Sequence, residues 1–278
     1  CGLLRTEFLF LERTAAPDLT EQARAYSAIA RALGPRPLVI RTLDAGGDKP
    51  IAYLPLPPED NPALGLRGIR TSLAHPEQLD TQLRALLATE GPAEVRLLLP
   101  MVTDVAEVVQ VRAHLAALAA GRGPRALPQV GVMIETPAAA LLAHELARVA
   151  DFLSVGTNDL TQYTLAMDRT HPRLAARLDA LHPAVLRLIA RVAQGAAAHG
   201  RCAALCGGLA SEPLAAVLLV GLGIRELSAV PAVIPQLKAR IARTSLAGAR
   251  ELAAKALALD SAAAVRALLE RAGPEARA

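Results

Sequence analysis

A chain of 278 residues, 53% of them hydrophobic, is long and apolar enough for one large (β/α) barrel or two average domains. Its net charge of +4 comes almost wholly from dispersed Arg, and with no Trp, three Phe and three Tyr it lacks the basic runs and aromatic platforms of a nucleic-acid binder. Charges interrupt every apolar run before the roughly 20 residues of a membrane span, and three cysteines without disulfide or zinc spacing point to a reducing, cytoplasmic setting.

The opening residues, Cys1 to Arg5, show no signal-peptide pattern and read as the interior of a domain. A first strand is expected over Gly2 to Arg5, ending at Arg5-Thr6-Glu7. A helix over Leu19 to Leu33 precedes a strand over Leu38 to Thr42, which holds Arg41. Beyond it, Gly46-Gly47-Asp48-Lys49 would let backbone amides and Lys49 approach a phosphate, although it lacks the spacing of a Walker motif. A helix over Pro76 to Ala88, a strand over Val95 to Met101 and a helix over Val105 to Ala120 follow, the last opened by Asp104 as N-cap. The fourth strand, Val130 to Ile134, ends at Glu135, and Thr136-Pro137 starts a helix over Ala138 to Val149. The fifth, Phe152 to Val155, runs into Asn158-Asp159. Next come a helix over Pro183 to His199, a strand over Ala203 to Cys206, a helix over Pro213 to Val220 and a strand over Glu226 to Val230. Helices over Ile234 to Ala242, Ala247 to Ala258 and Ser261 to Arg271 close the chain. Continuous apolar strands alternating with helices predict a parallel α/β sheet covered on both faces. A TIM-type (β/α) barrel needs eight strands and seven are counted; an open doubly wound sheet is the competing arrangement.

Reactive side chains gather at the strand ends. Arg5, Arg41, Glu135, Asn158-Asp159 and Cys206 close five of the seven, and in (β/α) barrels the active site lies at the carboxyl ends of the strands. Arg5, Arg41, Arg67 and Arg169, with Lys49, would together make a polyanion site of the kind phosphoryl transfer requires. Each alone reads as a surface charge or an ion pair. Glu135 and Asp159 suit Mg²⁺, which takes one or two protein carboxylates and keeps water; the competing reading is that they pair with the arginines. Cys206 is a thiol that stays mostly protonated at neutral pH, so it is either a proton donor or a small buried hydrophobe. Cys202, His171, His182 and His199 read as structural, and Tyr163 as packing.

In these same residues the chain resembles a known family. GLLRTEFLF (Gly2 to Phe10), RTLDAGGDKP (Arg41 to Pro50), NPALGLRGIR (Asn61 to Arg70), GVMIETPAAA (Gly131 to Ala140), SVGTNDLTQYTLAMDR (Ser154 to Arg169) and LCGGLA (Leu205 to Ala210) are similar to the carboxyl-terminal phosphoenolpyruvate-binding domain of enzyme I of the bacterial sugar phosphotransferase system. The resemblance covers nearly the whole chain as one domain, and extends to fused multiphosphoryl transfer proteins. It implies that Arg5, Arg41, Arg67 and Arg169, with Lys49 and Asn158, hold the substrate's phosphate and carboxylate. It further implies that Glu135 and Asp159 hold Mg²⁺, and that Cys206 protonates the enolate carbon to give pyruvate. The partners implied are a histidine-bearing domain, through it a histidine phosphocarrier protein, and a second copy in a homodimer. Pyruvate phosphate dikinase and phosphoenolpyruvate synthase share the pattern, but Phe8-Leu9 and Tyr163 favour the sugar phosphotransferase branch. A non-catalytic binding or dimerisation module is the remaining alternative. Two departures stand out: Gly208 replaces the family's usual Glu, and the family's first β/α unit is not found. The expectation is an incomplete barrel, weakened at its open strand edges, that binds substrate but does not turn over unaided.

Overall fold

The computed structural model describes residues 1–10, 13–46, 51, 53–54, 56–120 and 127–272. The chain divides into two compact units, Cys1–Met133 and Ile134–Ala278.

In the first unit β1 (Leu4–Arg5), β2 (Leu38–Arg41), β3 (Val95–Leu99) and β4 (Gln129–Ile134) lie side by side in chain order, the last residue of β4 belonging to the second unit. All pairs are parallel, with Leu4 opposite Ile40, Ile40 opposite Leu97 and Leu97 opposite Val130. Every residue of β2 is buried, as expected of a parallel strand covered on both faces. Helices α1 (Glu7–Phe10), α2 (Leu19–Leu33), α3 (Ile69–Ala74), α4 (Pro76–Leu87) and α5 (Val105–Ala119) connect the strands. Helix starts follow local chemistry. Asp18 with Glu21 and Asp104 with Glu107 form reciprocal capping boxes at α2 and α5. Leu38, Ile40, Ile69, Leu83, Leu97, Leu98 and Leu99 are fully buried, each contributing about 1.5–3 kcal/mol by leaving water.

In the second unit β5 (Phe152–Gly156), β6 (Cys202–Cys206) and β7 (Glu226–Leu227) are again parallel, with Gly156 opposite Cys206 and Leu205 opposite Leu227. The helices are α6 (Pro137–Leu141), α7 (Ala143–Val149), α8 (Thr157–Leu165), α9 (Pro183–Ala198), α10 (Ala216–Gly221), α11 (Ile234–Ala242), α12 (Leu246–Leu257) and α13 (Ala262–Arg271). Val185, Leu186, Ile189 and Val192 bury one stripe of α9, and Leu153, Val155 and Leu205 bury the strands.

Parallel strands alternating with helices make this an α/β chain of the TIM-type barrel class, with seven strands among the described residues where a complete barrel has eight. Most expected elements appear within two residues of their places. Three differ. The helix over Ala138 to Val149 is broken at Leu142, whose φ of −91° and ψ of 16° leave the helical range. The strand over Glu226 to Val230 keeps two residues, and the helix over Pro213 to Val220 starts only at Ala216. Helices α1, α3 and α8 were not foreseen. Neither α3 nor α8 has a side-chain N-cap hydrogen bond, so both lack the usual start signal, and α1 is only four residues long.

Candidate functional site

Each unit holds a group of polar side chains at the carboxyl ends of its strands. In the first, β2 delivers Arg41 into the interior. Its guanidinium meets Glu7 Oε1 through Nη2, reaches Asp44 Oδ2 at 3.2 Å, and directs Nη1 to Met133 Sδ at 3.5 Å. Arg67, 1% exposed, grips the same Asp44 with two prongs, Nε to Oδ1 at 3.1 Å and Nη2 to Oδ2 at 3.2 Å. Such a bidentate fork is what guanidinium geometry favours. Arg41 and Arg67 are therefore brought together through Asp44, with Glu7, the acid expected at the end of the first strand, as a further partner of Arg41. Asp44 lies three residues beyond Arg41 and looks in sequence like an ordinary loop acid.

A buried hydrogen-bond chain fixes the backbone beneath Arg41. Thr6 Oγ1 donates to Arg41 O at 2.9 Å, and Gln82 Nε2 donates to Thr6 Oγ1 and to Tyr26 OH, both at 3.2 Å. Gln82 Oε1 accepts from Leu43 N at 2.9 Å, and Tyr26 OH donates to Gln22 Oε1 at 3.0 Å. Burial pushes the Tyr26 phenol up to about 12, against a weaker downward pull from Gln82, so it stays a donor. Arg5 stands apart. It is exposed, with its guanidinium 5.0 Å from the centre of the Phe8 ring, and pairs with no carboxylate among the described residues. Lys49 lies outside the described residues.

In the second unit Glu135 follows β4 directly and is buried. Gly156, the last residue of β5, makes room for it: a Cβ there would lie 2.6 Å from Glu135 Cγ and 2.7 Å from Oε1. Helix α8 begins at the next residue, so Asp159 occupies its first turn, where the helix dipole favours a carboxylate. Arg169 donates Nη1 to Asp159 Oδ1 at 3.3 Å, while its own N–H is held by Gln162 Oε1 at 2.9 Å. Asn158 is exposed, and its Oδ1 accepts from Gly208 N at 2.9 Å. Cys206 ends β6 at 3% exposure; its thiol donates to Val155 O at 3.4 Å and accepts from Ser154 Oγ at 4.0 Å. Thr157 ties α8 to the same strand end by donating Oγ1 to Cys206 O at 2.9 Å. Ser154 and Thr157 were not foreseen, although a hydroxyl in an otherwise apolar strand is a legible signal.

The donor set fits a hard divalent cation. Glu135 and Asp159 offer carboxylate oxygens, the ligand type such a cation takes; Glu135 packs against the bare Gly156 backbone, and Asp159 also pairs with Arg169, as the competing reading expects. Among the described residues no group of three His, Cys, Asp or Glu gathers. Mg²⁺ takes few protein carboxylates and completes its shell with water and substrate oxygens.

Residues 1–246 match the family described as "PEP-utilising enzyme, PEP-binding domain", PEP being phosphoenolpyruvate. A multiphosphoryl transfer protein of Xanthomonas campestris pv. campestris is 52% identical over 268 residues, covering 96% of this chain and 32% of that protein. One from Rhodobacter capsulatus is 48% identical, with 96% and 32% covered. A phosphoenolpyruvate-protein phosphotransferase of Haemophilus influenzae is 42% identical over 274 residues, covering 97% of this chain and 48% of that one. The chain thus spans 32% to 48% of the length of these relatives. It belongs to the family of PEP-utilising enzymes, as their PEP-binding domain.

Proposed function

We propose that the chain is a single substrate-binding domain of a cytoplasmic, homodimeric phosphoenolpyruvate–protein phosphotransferase. It binds phosphoenolpyruvate and Mg²⁺ and supports phosphoryl transfer to a histidine on another domain, the first step of the sugar phosphotransferase relay. The observation that carries the reading is the set at β5, α8 and β6: Glu135 cradled against Gly156, Asp159 paired with Arg169, and the Cys206 thiol buried at the adjoining strand end.

Each residue has a defined task in this reaction. Arg41, Arg67 and Arg169, with Arg5, Lys49 and Asn158, hold the substrate's phosphate and carboxylate oxygens. Transfer of a phosphoryl group is mostly positioning plus neutralisation of charge on oxygen. Glu135 and Asp159 would hold the Mg²⁺, which when bound neutralises charge on substrate oxygens. Phosphorus–oxygen cleavage leaves the enolate of pyruvate as the phosphoryl group passes to the histidine nitrogen. Cys206 then breaks its S–H bond as a C–H bond forms at the enolate carbon, giving pyruvate and a thiolate that water reprotonates. Without a histidine-bearing domain the chain binds substrate but does not turn over. From that domain the phosphoryl group would pass to a histidine phosphocarrier protein.

The test uses Cys206→Ser in the full-length protein. Phosphoenolpyruvate affinity should stay within about threefold, while pyruvate formation falls by about 100-fold or more. Turnover near the parent rate would remove the thiol from the mechanism.

A further inference from the structure

Helices α7 and α9 of the second unit bring together two histidines that are 55 residues apart in sequence. Gly195 makes this possible. A Cβ there would lie 2.7 Å from His144 N and 2.8 Å from Ala143 C, so only a bare position lets α9 come this close to the first turn of α7. One helical turn later comes His199, the C-cap of α9. Its Nε2 stands 3.3 Å from Nε2 of His144, with ring centroids 4.4 Å apart and planes tilted by 55°. The nitrogens are closer than the ring centres, so they are turned toward each other. Neither ring makes another hydrogen bond or ion pair among the described residues, and both reach solvent.

Two facing imidazole nitrogens can share a hydrogen or a cation. For a tetrahedral ion with metal–nitrogen bonds of 2.0–2.1 Å, two ligand nitrogens sit about 3.3–3.4 Å apart, and the observed gap has that width. Imidazole suits Zn²⁺ and its neighbours, whereas Mg²⁺ takes oxygen. We propose that His144 and His199 form a surface site for one zinc-class divalent cation, bridging the first turn of α7 to the end of α9. On binding, the hydrogen between the rings moves to Nδ1 of the ring that carries it, and both Nε2 lone pairs turn to the cation. Water fills the other positions, since no third His, Cys, Asp or Glu joins the pair among the described residues. Arg191 of α9 and Arg201, two residues past His199, are engaged elsewhere. Arg191 donates to Leu141 O at 3.2 Å, and Arg201 donates to Ala147 O at 3.4 Å and stands 3.9 Å from Asp151. The site is independent of the phosphoenolpyruvate reading.

The experiment is a titration of Zn²⁺ into the full chain carrying Cys1→Ser, with Mg²⁺ saturating and no chelator, read by calorimetry and thermal unfolding. One equivalent should bind in the micromolar range and raise the melting temperature. His144→Gln and His199→Gln should each weaken binding by at least about tenfold, while melting like the parent without zinc because both side chains reach solvent. Undiminished zinc affinity in either variant, or no binding by the parent chain, overturns the proposal.

Discussion

Asp44 balances two guanidiniums at once, those of Arg41 and Arg67, in a place that water does not reach. A buried charge left without its partner costs about 3–5 kcal/mol. Asp44→Asn should therefore lower stability by about that much in chemical denaturation, and a loss below about 1 kcal/mol would show that other groups hold the arginines. Gly208 presents the opposite case. A Cβ there would meet only Asn158 Oδ1, at an ordinary 3.4 Å, and its backbone is not left-handed. Gly208→Glu should fold with a melting temperature within about 2 °C of the parent; a larger loss would mean the position needs glycine for its own sake. The reactive residues were legible where a strand pattern stopped at one of them, as at Arg41, Glu135 and Cys206. Their compensating partners were not. Asp44 looks like any loop acid until the chain folds, and Gln82 joins Thr6 from 76 residues away.

At the scale of elements, α4 and α5 are joined by a carboxylate shared between Arg84 and His114. Asp80 accepts from Arg84 Nε at 2.6 Å and faces His114 Nε2 at 3.2 Å. The hydrogen bond from Arg84, followed by that from His114, holds the Asp80 carboxyl below its ordinary 3.8 despite some desolvation. A lowered folded value means the unfolded chain binds more protons near pH 4, so this stability is present above that pH and lost as pH falls through the folded value. Asp80→Asn should flatten the acid limb of the stability profile. Being partly exposed, the pair should cost less than about 1 kcal/mol at neutral pH. An unchanged acid limb would remove Asp80 from the account. Elements with a start signal, such as α2 behind Asp18 and α5 behind Asp104, were legible to the residue or nearly so. Helix α8 was not, because it follows β5 without a loop or capping side chain. The break at Leu142 has no Gly or Pro to mark it.

Across the whole molecule, strand count and helix alternation were readable because buried parallel strands are continuous apolar runs bounded by turns. That is a property of composition along the chain, and it does not depend on which partners fold brings near. The chain's family follows from residues 1–246. The central claim is that Glu135 and Asp159 make phosphoenolpyruvate binding depend on Mg²⁺. Calorimetric titration of phosphoenolpyruvate into the chain, with Mg²⁺ and after its removal with chelator, measures this directly. The account predicts saturable binding with Mg²⁺, loss of about tenfold or more in affinity without it, and a similar loss in folded Glu135→Gln with Mg²⁺ present. Binding of equal strength with and without Mg²⁺, or none by the folded chain with Mg²⁺, would contradict it.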